Sequence, residues 1–119
     1  MKSKQNNRNL IREKTYQFAI GIIDLYKKMK ENNEYILSKQ IVRSGTSIGA
    51  NVEEATAAQS RKDFISKMSI ASKEARETNY WLRLLRDSKL FRDFDLNDMI
   101  SESEEIIKIL TAIVKTSQQ

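Results

Sequence analysis

The chain has 119 residues and carries 21 Lys and Arg against 16 Asp and Glu, which gives a formal net charge of +5 at pH 7. It contains no Cys and no His, so disulfides, thiolate zinc sites, cysteine nucleophiles and every site that depends on imidazole are excluded. It also contains no Pro and only 3 Gly, and this scarcity of helix breakers favours long helices in a single all-α domain.

The first predicted helix covers residues 9–33 and is marked by apolar residues that recur in alternating steps of four and three. This spacing places them on one face of the helix. The stripe consists of Ile11, Thr15, Phe18, Ile22, Leu25 and Met29. Ile23 and Tyr26 are expected to widen it, and Asn32 and Asn33 are expected to end the helix in a turn.

The second predicted helix covers residues 34–58 and has a centre that is rich in small and polar residues. Its stripe consists of Leu37, Ile41, Ser44, Ile48, Val52 and Ala55. Gly45 and Gly49 lie in that centre, and helix propensity alone would break the helix there. Because the stripe keeps its phase on both sides, a continuous helix is favoured, with a kink or an interruption as the alternative. Small residues at this spacing would let another backbone approach closely.

The third predicted helix covers residues 61–88 and begins at a capping-box pattern formed by Ser60 and Asp63. Its stripe consists of Phe64, Met68, Ala71, Ala75, Thr78, Leu82 and Leu85. Ile70 and Leu84 flank that stripe. A connector with two aromatic residues follows and is expected to pack against the end of the bundle.

The fourth predicted helix covers residues 96–116, with Asp95 as its expected cap. Its stripe consists of Leu96, Met99, Ser103, Ile106, Leu110 and Ile113. The connections between the four helices are short, and short connections favour antiparallel neighbours. The sequence therefore predicts an up-down-up-down antiparallel four-helix bundle.

Basic side chains exceed acidic ones on the first and third helices, which makes a nucleic-acid-binding surface the first functional hypothesis. The candidate contacts are Lys2, Lys4, Arg8, Arg12, Lys14, Lys27, Lys28, Arg61, Lys62, Arg76, Arg83 and Arg86. Two alternatives stay open. A basic flank of one subunit could meet the acidic fourth helix of the next in a ring, or the charges could form a solvated surface without a partner.

Polar residues of the second and third helices are predicted to face each other. On the second helix they recur in steps of four, four and three at Arg43, Ser47, Asn51 and Glu54. A hairpin between these helices predicts a bidentate pair between Arg43 and Glu77 and a contact between Glu54 and Lys67. A network that fixes helix register or a subunit contact is favoured over a binding groove. A di-iron site is not expected, because its ligand pattern needs His.

The residue types favour a cytoplasmic protein without a catalytic or metal-binding site. The first residues, MKSKQNNRN, are basic and polar, which argues against a signal peptide, and no apolar run approaches the length of a membrane span. No nucleophile–base pair or metal-ligand set is present to support catalysis. We therefore expect no enzyme activity, cofactor, metal, membrane contact or small-molecule substrate.

Residues 40–85 carry a pattern of specific order. The run RSGTSIGANVEEA at 43–55 is followed by SRKDF at 60–64 and IASKEARET at 70–78. The pattern resembles the bacterial four-helix-bundle proteins encoded by intervening sequences in 23S ribosomal RNA genes. Their superfamily includes the accessory variability protein of diversity-generating retroelements.

The resemblance implies a homopentameric ring of four-helix bundles with a central channel, and it suggests an RNA-binding role. For the retroelement relatives it implies a basic surface that binds RNA or DNA and a reverse-transcriptase partner. A structural or protein-interaction scaffold whose charges serve assembly is the alternative function. The positions that carry over from the family pattern are Arg43, Ser47, Asn51, Glu54, Asp63, Glu74 and Glu77.

Overall fold

Four helices make up the fold in the computed structural model, which describes residues 2–92 and 94–119, without the side chains of residues 2–5 and 7. The helices are α1 (Lys2–Glu31), α2 (Leu37–Thr56), α3 (Arg61–Asp87) and α4 (Asn97–Gln118). The described residues contain no strand, so the all-α prediction is confirmed. None of their helices combines the length and the apolar character that crossing a membrane requires.

Each helix packs against two neighbours, in the order α1–α2–α3–α4 and back to α1. The contacts run antiparallel: along α1 and α2, Arg12 pairs with Glu53 while Ile22 lies against Gly45. The resulting body is elongated, with extents of 45 × 22 × 18 Å. This packing is consistent with the predicted bundle.

The predicted stripes form the core. All of their members are buried except Leu37, which is partly buried and packs against the core. Removing one large aliphatic or aromatic side chain from water contributes about 1.5–3 kcal/mol, so the stripes supply most of the stabilisation. Ile23 differs from its expected place, because it points outward and is 41% exposed.

Two helix starts differ from the predicted ones. α1 begins at Lys2, well before residue 9, because the preceding segment has no helix breaker and contains Lys and Gln, which favour helices. α2 begins at Leu37, after residue 34. The chain turns at Asn33, which has a φ of 63°, and the Glu34 carboxylate then accepts hydrogen bonds from the amides of Leu37 at 2.9 Å and Ser38 at 2.8 Å. Glu34 therefore caps α2 from outside the helix.

The small-residue centre of α2 lies against α1 without interrupting the helix. A Cβ atom at Gly45 would lie 2.7–2.9 Å from three side-chain atoms of Ile22. A Cβ atom at Gly49 would lie 3.3 Å from the carbonyl oxygen of Thr15. The alternative of an interrupted helix is therefore wrong, and the predicted close approach of another helix is confirmed.

Ser60 caps α3, and its loss should measurably weaken the fold. Its Oγ accepts a hydrogen bond from the Asp63 amide at 3.0 Å. Ser60→Ala is expected to lower the free energy of unfolding by about 1 kcal/mol, because that amide loses its acceptor. Urea denaturation followed by circular dichroism measures this change. Ser60→Asp keeps an acceptor and is the control. An equal loss of unfolding free energy in both variants would contradict the role of Ser60 as the cap.

Candidate functional site

Arg43 joins α2 to two glutamates of α3. Its Nη2 donates to Glu77 Oε2, and its Nη1 lies 3.4 Å from Glu74 Oε2. The predicted contact with Glu77 is present, but it is not bidentate. The guanidinium divides between two carboxylates because Glu74 and Glu77 lie three residues apart on adjacent turns of α3. Trp81 Nε1 also donates to Glu77 Oε2, at 3.1 Å, which fixes that carboxylate from a second side.

A second contact between the same helices lies nearer their connecting turn. Lys67 Nζ donates to Glu54 Oε1 at 2.9 Å, as predicted. This hydrogen bond and the attraction of Glu54 raise the pKa of the Lys67 ammonium group, and the charge of Asp63 adds to the effect. Because the pair is exposed, it contributes little to stability. The pair lies at the height that the predicted hairpin gives to these two residues.

The other two polar positions of α2 do not bond to α3. Asn51 Nδ2 donates to the carbonyl oxygen of Ser47 at 2.9 Å, within α2 itself. Ser47 Oγ is buried and has no hydrogen-bond partner among the described residues. The family-pattern residues therefore do not form one continuous network. Arg43, Glu74 and Glu77 form one cluster, and Glu54 lies with Asp63 around Lys67 in a second. Ser47 and Asn51 belong to neither cluster.

Two buried polar pairs between helices were not predicted. Thr78 Oγ1 and Ser44 Oγ share a hydrogen bond at 2.9 Å, and Asn79 Nδ2 donates to Ser103 Oγ at 2.9 Å. The sequence held a signal for them, since Ser44, Thr78 and Ser103 are polar members of otherwise apolar stripes. Paired buried hydroxyls and amides favour one helix register, because a shift would leave them unsatisfied.

The candidate nucleic-acid contacts do not share one surface. Lys2 and Lys4 have side chains outside the described residues. Three of the others, Arg8, Arg12 and Arg61, line one cleft. The remaining seven lie elsewhere, and several are engaged in other contacts. They are Lys14, Lys27, Lys28, Lys62, Arg76, Arg83 and Arg86.

Several of those dispersed residues already have partners. Lys14 Nζ lies 2.9 Å from Glu105 Oε1, and Arg83 Nε donates to Asn79 Oδ1 at 2.8 Å. The hydrogen bond between Arg86 and the neighbouring carboxylate lowers the pKa of Asp87. These contacts reduce the charge that each side chain can offer to a ligand.

The cleft lies at the end of the bundle where α1, the α2–α3 turn and the end of α4 meet, and we call it the arginine cleft. Its volume is about 470 Å³. Its principal lining residues are Arg8, Arg12, Ser60, Arg61, Phe64 and Ser117. The described residues that line it include no carboxylate.

The three guanidinium groups of the arginine cleft differ in how they are held. Arg8 lies over the ring of Phe64, with 4.4 Å between its Cζ and the ring centroid. Arg12 Nη2 lies 3.4 Å from Glu53 Oε2, a long and exposed contact. Arg61 forms no ion pair with the described residues. Guanidinium groups recognise carboxylates and phosphates, so the arginine cleft suits an anion.

Nothing in the described part of the chain suits a metal cation. That part contains no group of three or more His, Cys, Asp or Glu side chains close enough to hold a metal ion. The electrostatics of the arginine cleft also oppose cation binding, since its charged lining residues are all basic.

Apolar side chains are exposed on both sides of α2. The α1 apolar face consists of Tyr16, Ile20 and Ile23, which the helical spacing places together. The α3 apolar face consists of Tyr80 and Leu84, which lie one turn apart. Ile70 is also exposed, about 15 Å earlier along the helix. Ile70 and Leu84 were expected to flank the core, but each is 38% exposed. The bundle therefore carries two apolar surfaces that its own helices do not cover.

Comparison with known proteins gives a family and a structural relative. The family model described as 23S rRNA-intervening sequence protein matches residues 7–112. Among solved structures, the chain is similar to a protein of unknown function from the S23 ribosomal protein family of Bacteroides thetaiotaomicron. The two are 47% identical with a TM-score of 0.86, over 92% of this chain and 98% of that chain. Neither description names a catalytic activity, and no curated protein matches.

Proposed function

Since this chain belongs to the 23S rRNA-intervening sequence protein family, we propose that it is a non-enzymatic helical-bundle protein that binds RNA as a homo-oligomer. The arginine cleft is the observation that carries the RNA-binding part of the proposal. It brings Arg8, Arg12 and Arg61 together from two helices that are distant in sequence.

The arginine cleft has the chemistry that phosphate binding requires. Arg61 is not neutralised by any described partner, and the contact of Arg12 with Glu53 is long enough to be exchanged for a ligand. A protein that contacts phosphates releases the counterions of the nucleic acid, and this release supplies much of the binding free energy. Three contacts to a single strand should give a slope of about −2 for the logarithm of affinity against the logarithm of salt concentration.

Removing the three arginines should weaken RNA binding much more than removing three other basic residues. We expect Arg8→Gln/Arg12→Gln/Arg61→Gln to lower the affinity for a fluorescein-labelled single-stranded RNA at least about tenfold at low salt, because charge-assisted hydrogen bonds to phosphate are lost. The matched control is Lys39→Gln/Lys89→Gln/Lys108→Gln, which removes the same charge from exposed positions outside the cleft. Fluorescence anisotropy measures both affinities.

The control also separates specific contacts from total charge. An equal loss in both triple variants would show that net charge alone attracts RNA, and it would remove the arginine cleft from the proposal. Absence of binding by the unaltered protein at low salt would overturn the RNA-binding function itself.

The two apolar faces support the assembly part of the proposal, and a scaffold without RNA binding is the second candidate function. The α1 apolar face and the α3 apolar face consist of different residues and lie on opposite sides of α2. Contact between the α1 face of one subunit and the α3 face of the next would be head-to-tail, and such contacts close into rings when the rotation permits. The proposed ring is the pentamer that the family resemblance implies.

A further inference from the structure

We propose that the arginine cleft binds a phosphate monoester, so that an RNA ligand is recognised at its phosphorylated end rather than along its strand. This inference rests on the proposed RNA-binding function and names the group that the arginine cleft takes. A free mononucleotide carries the same phosphate monoester, and the experiment below separates the two sources.

The position of the arginine cleft favours the end of an RNA strand over its interior. It is a recess at one end of the bundle, bordered by Arg8 of α1, Ser60 before α3 and Ser117 near the end of α4. Its volume of about 470 Å³ is in the range of small-ligand sites, about 300–1,000 Å³. A recess of this size accommodates a terminal group, whereas a continuous strand needs an extended groove.

The charge of the arginine cleft matches a monoester better than a diester. Arg8, Arg12 and Arg61 supply three positive charges, and Glu53 offsets part of one of them. A phosphate monoester carries about −1.5 to −2 at neutral pH, whereas each linkage within the strand carries a single negative charge. The terminal group therefore gains more from the same three guanidinium groups.

The donors of the arginine cleft are partly oriented before a ligand arrives. The stacking of Arg8 over Phe64 restricts that guanidinium. The oxygen of Ser60 accepts from the Asp63 amide, so its own proton is free to be donated. The Ser60 hydroxyl therefore adds a donor to the three arginines.

The lining offers little for reading a base. Phe64 is only 9% exposed, and Arg8 covers its ring, so a base has no open aromatic surface on which to stack. Recognition through phosphate alone is independent of sequence. We therefore expect that changing the terminal base leaves the affinity unchanged.

The test compares two oligouridines that carry fluorescein at the 3′ end and differ only in a 5′-phosphate or a 5′-hydroxyl group. We expect the phosphorylated RNA to bind at least about tenfold more tightly. Arg61→Gln should remove this preference, while Lys108→Gln should keep it. Arg61 is exposed at the start of α3, so the substitution disturbs no core contact. Circular dichroism checks that both variants fold.

A third arm titrates adenosine monophosphate and, separately, inorganic phosphate. Equal affinity for both RNAs, with no binding of adenosine monophosphate, would overturn the monoester site and leave the RNA-binding function standing. Binding of adenosine monophosphate that depends on Arg61, without binding of either RNA, would support the site and overturn the RNA-binding function. Absence of all binding would overturn both.

Discussion

Gly45→Val is expected to lower the free energy of unfolding by about 2–3 kcal/mol, because the added side chain overpacks the contact between α1 and α2. Even a single Cβ atom would lie 2.7–2.9 Å from Cγ1, Cγ2 and Cδ1 of Ile22. Ile22 is fully buried, so moving its side chain aside disturbs the core residues packed around it. Urea denaturation of the purified variant measures the loss.

A compensating substitution tests the cause of that loss. Ile22→Ala alone should cost about 2–5 kcal/mol by leaving a cavity. If the two side chains compete for one space, the double variant Gly45→Val/Ile22→Ala loses less than the sum of the single variants. Additive losses would show that the valine acts elsewhere.

Gly21→Val provides the matched control on the neighbouring helix. Among the described residues, a Cβ atom there would have one neighbour within 4 Å, Met99 Cε at 3.5 Å, which is an ordinary contact with the end of a flexible side chain. We expect a change within about 0.5 kcal/mol, because valine and glycine differ little in helix propensity. A large loss at Gly21 as well would contradict this explanation, because it would show that valine is poorly tolerated in these helices regardless of the contact with Ile22.

The core could be predicted because the buried positions of a helix recur every three to four residues, and the apolar residues of the sequence show this recurrence. Thr15, Ser44 and Ser103 were assigned to the stripes by phase alone, although they are polar, and all three are buried. The start of α2 was not predictable in the same way. It depends on the left-handed backbone of Asn33 and on a carboxylate outside the helix, neither of which has a periodic signal.

The candidate site was predictable only where helix register decides it. The prediction that α2 and α3 are antiparallel put Arg43 at the same height as Glu77, and the structure shows a contact between these two side chains. The arginine cleft depends on α1 continuing to residues before 9, since only this extension carries Arg8 along the helix to Phe64. The exposure of Ile23 also escaped prediction, because apolar spacing alone does not distinguish a core position from an exposed position beside it.

Assembly through the apolar faces can be tested by placing a charge on one of them. We expect Ile20→Glu to convert the proposed oligomer into monomers, because a carboxylate buried without a partner costs several kcal/mol at every contact of a ring. Ile20 is 43% exposed within the subunit, so its substitution leaves the core intact. Light scattering coupled to size-exclusion chromatography measures the mass, and circular dichroism measures the helix content.

The matched control is Ala112→Glu, which adds the same charge at an exposed position of α4. It should keep the oligomeric mass, whereas Leu84→Glu, on the α3 apolar face, should lose it as Ile20→Glu does. Because a head-to-tail contact uses both faces, the two variants must agree. An unchanged mass in Ile20→Glu would contradict assembly through the α1 apolar face. If Ile20→Glu loses the oligomeric mass and Leu84→Glu keeps it, the contact is a two-fold one between two α1 apolar faces, and the assembly is a dimer in place of a ring.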